Sequence, residues 1–110
     1  MIAEAIFQDS IIELARMLGW YVYHPHRSYH SEPGYLDLTM VHPEKEGRLI
    51  FAEIKSAKGK LTEGRVNKRG RWMPGQVDWY NALIRTGRCE VYVWRVGEIE
   101  LEQIAEILRR

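Results

Sequence analysis

Three charged side chains stand in stretches that otherwise read as the inside of a sheet. Asp37-Leu38-Thr39-Met40-Val41 and Leu49-Ile50-Phe51-Ala52-Glu53-Ile54-Lys55 are apolar runs of strand length, yet they carry Asp37, Glu53 and Lys55. A packed sheet normally excludes such groups, because burying a charge is costly unless it is paired. Carboxylate oxygens on one face suit a hard divalent cation such as Mg²⁺. A lysine beside the cation can hold an attacking water and stabilise charge developing on phosphorus. The plain alternative is a surface hairpin with a cross-strand ion pair, which is common and worth little.

Whether the three groups meet depends on register. The connector from His42 to Arg48 is polar and contains Pro43 and Gly47, so the two runs predict an antiparallel hairpin. With its turn centred near Lys45, Asp37 lies opposite Glu53, at a Cβ separation of roughly 4.5–5.5 Å. Glu53 and Lys55 then share a face and Ile54 points to the other.

Other elements must supply the surroundings. Ile11, Leu14, Ala15 and Leu18 recur at helical spacing and Gly19 supplies a stop, which predicts a helix over 3–18. Its stripe Glu4, Gln8, Ile11, Ala15 puts two polar side chains at the edge of a core-facing surface. From there Glu4 could reach the hairpin, or could simply favour the positive end of the helix dipole. Trp20-Tyr21-Val22-Tyr23-His24 predicts a short strand. In the loop after it, His24, His26 and His30 lack the four well-spaced ligands of a structural zinc site, and Cys89 is far along the chain. These histidines, with Arg27 and Ser28, are better suited to touching phosphate. Gly34 lets the chain turn tightly before Asp37.

Beyond Lys55 the charge becomes one-sided: Lys58, Lys60, Arg65, Lys68, Arg69 and Arg71 are opposed only by Glu63. This predicts a phosphate-binding loop, made flexible by Gly59, Gly64 and Gly70 and ordered when a polyanion neutralises it, although a loop charged only for solubility would read alike. Pro74 suits a first helical turn. Gln76, Trp79, Tyr80 and Leu83 form one stripe of a helix ending at Gly87, so Gln76 faces inward near the helix start, placed to meet a phosphate oxygen or a water. Glu90 to Trp94 predicts a further strand. Ile99, Ile104, Ile107 and Leu108 mark a closing amphipathic helix, and Cys89 reads as a small apolar filler.

At 110 residues the chain has room for one domain and one modest core, small enough that pairing with a second copy would help. The net charge of +1 by itself says nothing for nucleic acid; the distribution of charge along the chain is more informative than the total. A single cysteine excludes an intramolecular disulfide framework. No signal-peptide pattern opens the chain and no run has membrane-spanning length, so the expectation is a cytoplasmic protein with no membrane partner.

Gly34-Tyr35-Leu36-Asp37 followed by Ala52-Glu53-Ile54-Lys55, a preceding helix with Glu4 and Gln8, and a following helix opened by Gln76 together resemble a virus-type replication-repair nuclease (VRR-NUC) domain of the PD-(D/E)XK superfamily. The resemblance runs from Glu4 through Trp94. It implies an α/β, restriction-endonuclease-like core with a mixed four-stranded sheet flanked by helices, in the order helix, strand, strand, strand, helix, strand, helix. It also implies metal-dependent hydrolysis of phosphodiester bonds in DNA. Asp37, Glu53 and the Ile54 carbonyl match the family's ligands for Mg²⁺ or Mn²⁺, Lys55 its catalytic lysine, Gln76 its second-helix glutamine and Glu4 its first-helix acid, with Glu13 on the same helix. The chain departs from the family in Leu36, where proline is frequent, and in the longer basic insertion from Lys60 to Gly75. Stand-alone relatives of this size resemble Holliday junction resolvases, which implies branched DNA as partner and a homodimer to cut two strands. Two other classes stay open: a DNA-binding accessory that does not cut, and an exonuclease or nickase.

Overall fold

The computed structural model describes residues 3–25 and 32–110. Helix α1 (Glu4–Met17) buries Phe7, Ile11, Ile12 and Ala15 along one stripe and ends where Gly19 turns the chain at φ 92°. Strand β1 (Tyr21–Tyr23) lies antiparallel to β2 (Leu38–Val41), which is antiparallel to β3 (Leu49–Lys55). Next come two short strands, β4 (Arg65–Val66) and β5 (Trp72–Met73), then α2 (Gln76–Thr86), β6 (Glu90–Arg95) and α3 (Leu101–Arg109). Strand β6 runs parallel to β3, so the main sheet has the order β1-β2-β3-β6 and is mixed. A parallel neighbour requires a crossover, and α2 supplies it. The fold is thus α/β with a four-stranded mixed sheet and three helices, as expected, plus one two-stranded ribbon, β4-β5, that was not.

Alternation sorts the sheet into two faces. Leu38, Met40, Ile50, Ala52, Ile54 and Trp94 face α1 and α3 and form the core with Ile11, Ile104 and Leu108, all of them buried. Phe51, Glu53 and Lys55 face the other way, toward α2. There the Tyr35 ring meets the edges of Phe51 and Trp79, at centroid distances of 6.3 and 5.0 Å. At the end of β3 away from Glu53, Arg48 holds Glu90 through two bonds of 2.8 and 2.7 Å and stacks over Trp20, pinning β3 to β6. The bond from Arg48 holds Glu90 below the usual carboxylate range, while burial and then the bond to Glu90 push Tyr92 up to about 12.

The closing helix starts at Leu101, so Ile99 packs against the core from the turn before it. Cys89 is half-buried, as a small filler would be. Among the described residues no helix is long and apolar enough to cross a membrane.

Candidate active site

The β2-β3 register decides the site. Leu38 faces Ala52 and Thr39 faces Phe51, so the next pair outward is Asp37 and Glu53, as the turn position predicts. The ladder itself stops at Leu38, and side chains replace it. The Asp37 N–H donates to Glu53 Oε1 at 3.1 Å, and the Ile54 N–H donates to Asp37 Oδ2 at 2.9 Å. Each acid is therefore gripped by the backbone that carries the other. The N–H and C=O of one strand residue leave on the same side, so the Ile54 carbonyl leaves β3 on the β2 side, as its N–H does.

Glu53 is the one charged residue in the described core, at 1% exposure. Lys55 Nζ stands 3.2 Å from Glu53 Oε2, and Gln76 Nε2 donates to the same oxygen at 2.7 Å. Burial, then the Asp37 charge, push the Glu53 carboxyl up to about 7 against the pull of Lys55. The group is thus poised to gain or lose a proton near neutrality, where a tuned acid is most useful.

Gln76 is aimed by the chain on either side of the ribbon. Its Oε1 accepts from the Thr62 N–H at 3.0 Å, and its own N–H donates to Thr62 Oγ1 at 3.1 Å. Three stretches of backbone meet here without side chains between them. A Cβ on Gly34 would overlap the Pro74-Gly75 backbone, and one on Gly75 would overlap that of residues 62–64. Gly34, at φ 77°, makes the tight turn expected of it. Trp79 Nε1 fastens the same turn by donating to the Pro33 carbonyl at 2.8 Å. A cleft of about 280 Å³, lined by Pro25, Gly34 and Gln76 among others, opens onto Asp37.

The structure therefore brings Asp37, Glu53, Ile54, Lys55 and Gln76 together. Glu4 lies exposed in the first turn of α1, and among the described residues no three His, Cys, Asp or Glu side chains form a metal-holding group, so Glu4 does not join the pair. Its helix approaches through Gln8 instead, whose Nε2 is 3.4 Å from His24 Nε2, while His24 Nδ1 is 3.3 Å from the Asp37 carbonyl. Sequence reasoning missed Thr62 and this bridging role of His24. No spacing pattern marks either, because both act across gaps that only the fold closes. Arg27 and Ser28, with His26 and His30, lie outside the described residues.

Lys58, Lys60, Arg65, Lys68, Arg69 and Arg71 are all exposed. The expectation of a loop without strands is corrected: the segment from Arg65 to Met73 is a hairpin. Arg65 pairs with Met73 and Val66 with Trp72. Asn67 sets the turn, with Oδ1 accepting from the Arg69 and Arg71 N–H groups at 2.9 and 3.0 Å, and Gly70 takes the left-handed position at φ 77°. A turn of this kind closing on a left-handed glycine is a common three-residue hairpin connection.

Comparison of the chain with protein-family models, with curated proteins and with solved structures finds no match.

Proposed function

We propose that this chain is a metal-dependent endonuclease of PD-(D/E)XK type, similar to VRR-NUC domains, that hydrolyses phosphodiester bonds in branched DNA. The observation that carries the reading is Glu53. A carboxylate is buried where it faces a second acid, Asp37, and is touched on its other oxygen by Lys55 and Gln76. That arrangement is costly for stability alone, since burial and like charge both oppose its ionisation. A bound cation would relieve both.

The donors fit Mg²⁺ or Mn²⁺: the Asp37 and Glu53 carboxylates and the Ile54 carbonyl are hard oxygen ligands at one strand end. When bound, the cation supplies charge stabilisation on the phosphoryl oxygens and a more acidic water. The residues themselves do the rest. Glu53 gives up the proton that it holds near pH 7. The Asp37 N–H and Gln76 Nε2 fix its two oxygens in place. Lys55, now ion-paired to Glu53, turns its ammonium to the attacking water and to the charge growing on phosphorus, an interaction strongest in the transition state. The exposed lysines and arginines between Lys58 and Arg71 meet backbone phosphates. Two copies give the two sites that symmetric cutting of a junction needs.

Purified protein with Mg²⁺ or Mn²⁺ should be tested on linear, flap, splayed and four-way DNA, beside Lys55→Ala. Metal-dependent cleavage that Lys55→Ala abolishes, with DNA binding kept, is the expected result. Cleavage unchanged in that variant removes the site assignment. Binding without any cleavage by the wild type favours the accessory reading.

A further inference from the structure

The ribbon carries a side chain that phosphate binding does not use. Trp20 and Trp94 are buried at 2% exposure, but Trp72 on β5 is 56% exposed and its cross-strand partner Val66 is 62% exposed. Opposed residues share a face, so Trp72 and Val66 make one apolar face of the ribbon. Arg65 and Met73 lie on the other face, Arg71 is one residue before Trp72, and Lys68 and Arg69 are at the tip. The indole is also seated. A Cβ at Gly64 would overlap its benzo edge, so the ring lies against bare backbone that only glycine provides, while more than half of the residue's surface stays exposed. A large ring held in one orientation with a free surface loses little entropy when a flat partner stacks on it.

We propose that Trp72 is a stacking platform for an unpaired nucleobase, so that the DNA taken by this chain has single-stranded nucleotides where it meets the ribbon. A ring for bases beside cations for the phosphate backbone is the combination that single-stranded nucleic acid selects. A base inside a duplex has both faces covered by its neighbours and cannot use the platform without being extruded. The ribbon is also tied to the candidate active site. Thr62, before β4, and Gln76, after β5, hold each other, and Gln76 holds Glu53. Trp72 precedes Gln76 by four residues, at most about 14 Å of extended chain. That span corresponds to about four steps of duplex rise, and to fewer in an extended single strand. The stacked base therefore lies close to the phosphate presented to Asp37 and Glu53. Only this last point rests on the nuclease reading; the platform itself does not.

The test is binding in chelator, with no metal and no cleavage, of a splayed-arm DNA with unpaired thymidines and of a blunt duplex of equal length. Wild type, Trp72→Phe, Trp72→Leu and Arg69→Ser are compared by anisotropy and by tryptophan fluorescence. On splayed DNA, Trp72→Leu should lose roughly 5- to 150-fold in affinity, the range for removing one stacked base. On blunt duplex it should stay within about twofold of wild type, while Arg69→Ser weakens both DNAs alike. Trp72→Phe keeps a ring and should restore most of the splayed-arm affinity, yet lose the fluorescence quenching that splayed DNA causes in wild type. Equal losses of Trp72→Leu on both DNAs, or no loss on either, overturn the proposal. If the wild type never cleaves with Mn²⁺ but the splayed-arm preference follows Trp72, the nuclease reading fails and the platform stands. Metal-dependent cleavage with no effect of Trp72→Leu gives the reverse.

Discussion

Metal-free protein should become less stable as pH rises from 4.5 to about 7, and Asp37→Asn should remove part of that loss. Burial and the Asp37 charge raise Glu53 from 4.5 to about 7. The unfolded chain gives up this proton near 4.5, so within that window the folded state holds more protons and linkage lowers its stability with increasing pH. The contribution is complete below pH 4.5 and gone once pH passes the folded value. Across the whole shift it amounts to roughly 3 kcal/mol. Asp37→Asn is a mild perturbation of the scaffold. An asparagine oxygen can still accept from the Ile54 N–H, and the backbone N–H to Glu53 Oε1 is untouched. What disappears is a like charge about 5 Å away, worth about 3 kcal/mol at an effective dielectric near 20. Asp37 is half-buried, so water screens it, and a gain of about 1–2 kcal/mol at pH 8 is expected. Urea unfolding at pH 5, 6, 7 and 8 in chelator measures both curves, and their difference cancels the other titrating groups. A wild type with flat stability over this range, or a variant equally destabilised at every pH, refutes the reasoning.

Gly75→Ala should cost about 2–3 kcal/mol and uncouple Gln76 from Glu53, because its Cβ meets backbone at residues 62–64 that cannot yield; thermal melts and the loss of cleavage check this together. Replacing Arg65, Lys68, Arg69 and Arg71 with serine should flatten log K against log salt by about 0.9 for each duplex phosphate no longer neutralised, whereas a segment charged only for solubility leaves the slope unchanged. Glu90→Gln should lose about 1–2 kcal/mol at pH 7. Glu90 is held below 4.5 when folded, so its stabilisation is present above pH 4.5 and fades as pH falls through the folded value; urea titrations of both proteins should converge in acid.

What the sequence makes legible is what local rules control. The strand pair and its register follow from apolar runs and the centre of one polar turn, and Asp37 opposite Glu53 follows from the register. Gln76 is legible because helical spacing turns it inward from the start of α2. Glu4 is on the correct helix and the expected stripe, but a stripe is wide, and the sequence does not say how the helix slides along the sheet. Gln8, one turn further along, is the residue that comes near, through His24.

The ribbon is hard to read for a different reason. Glycines among like charges suggest flexibility, but Gly70 here closes a turn, Gly64 makes room for an indole, and Gly75 lets two loops touch. Gly64 and Gly75 permit close approaches, and Gly70 supplies the left-handed turn conformation. The signal is present in Asn67-Lys68-Arg69-Gly70, an Asx turn followed by a left-handed glycine, with Val66 and Trp72 flanking it. Its consequence is mechanical. A flexible basic loop could gather phosphates but could not say where along the strand the chemistry falls. On the proposed nuclease reading, a ribbon whose two ends are joined at Thr62 and Gln76 can, because Gln76 also donates to the oxygen of Glu53 that Lys55 touches.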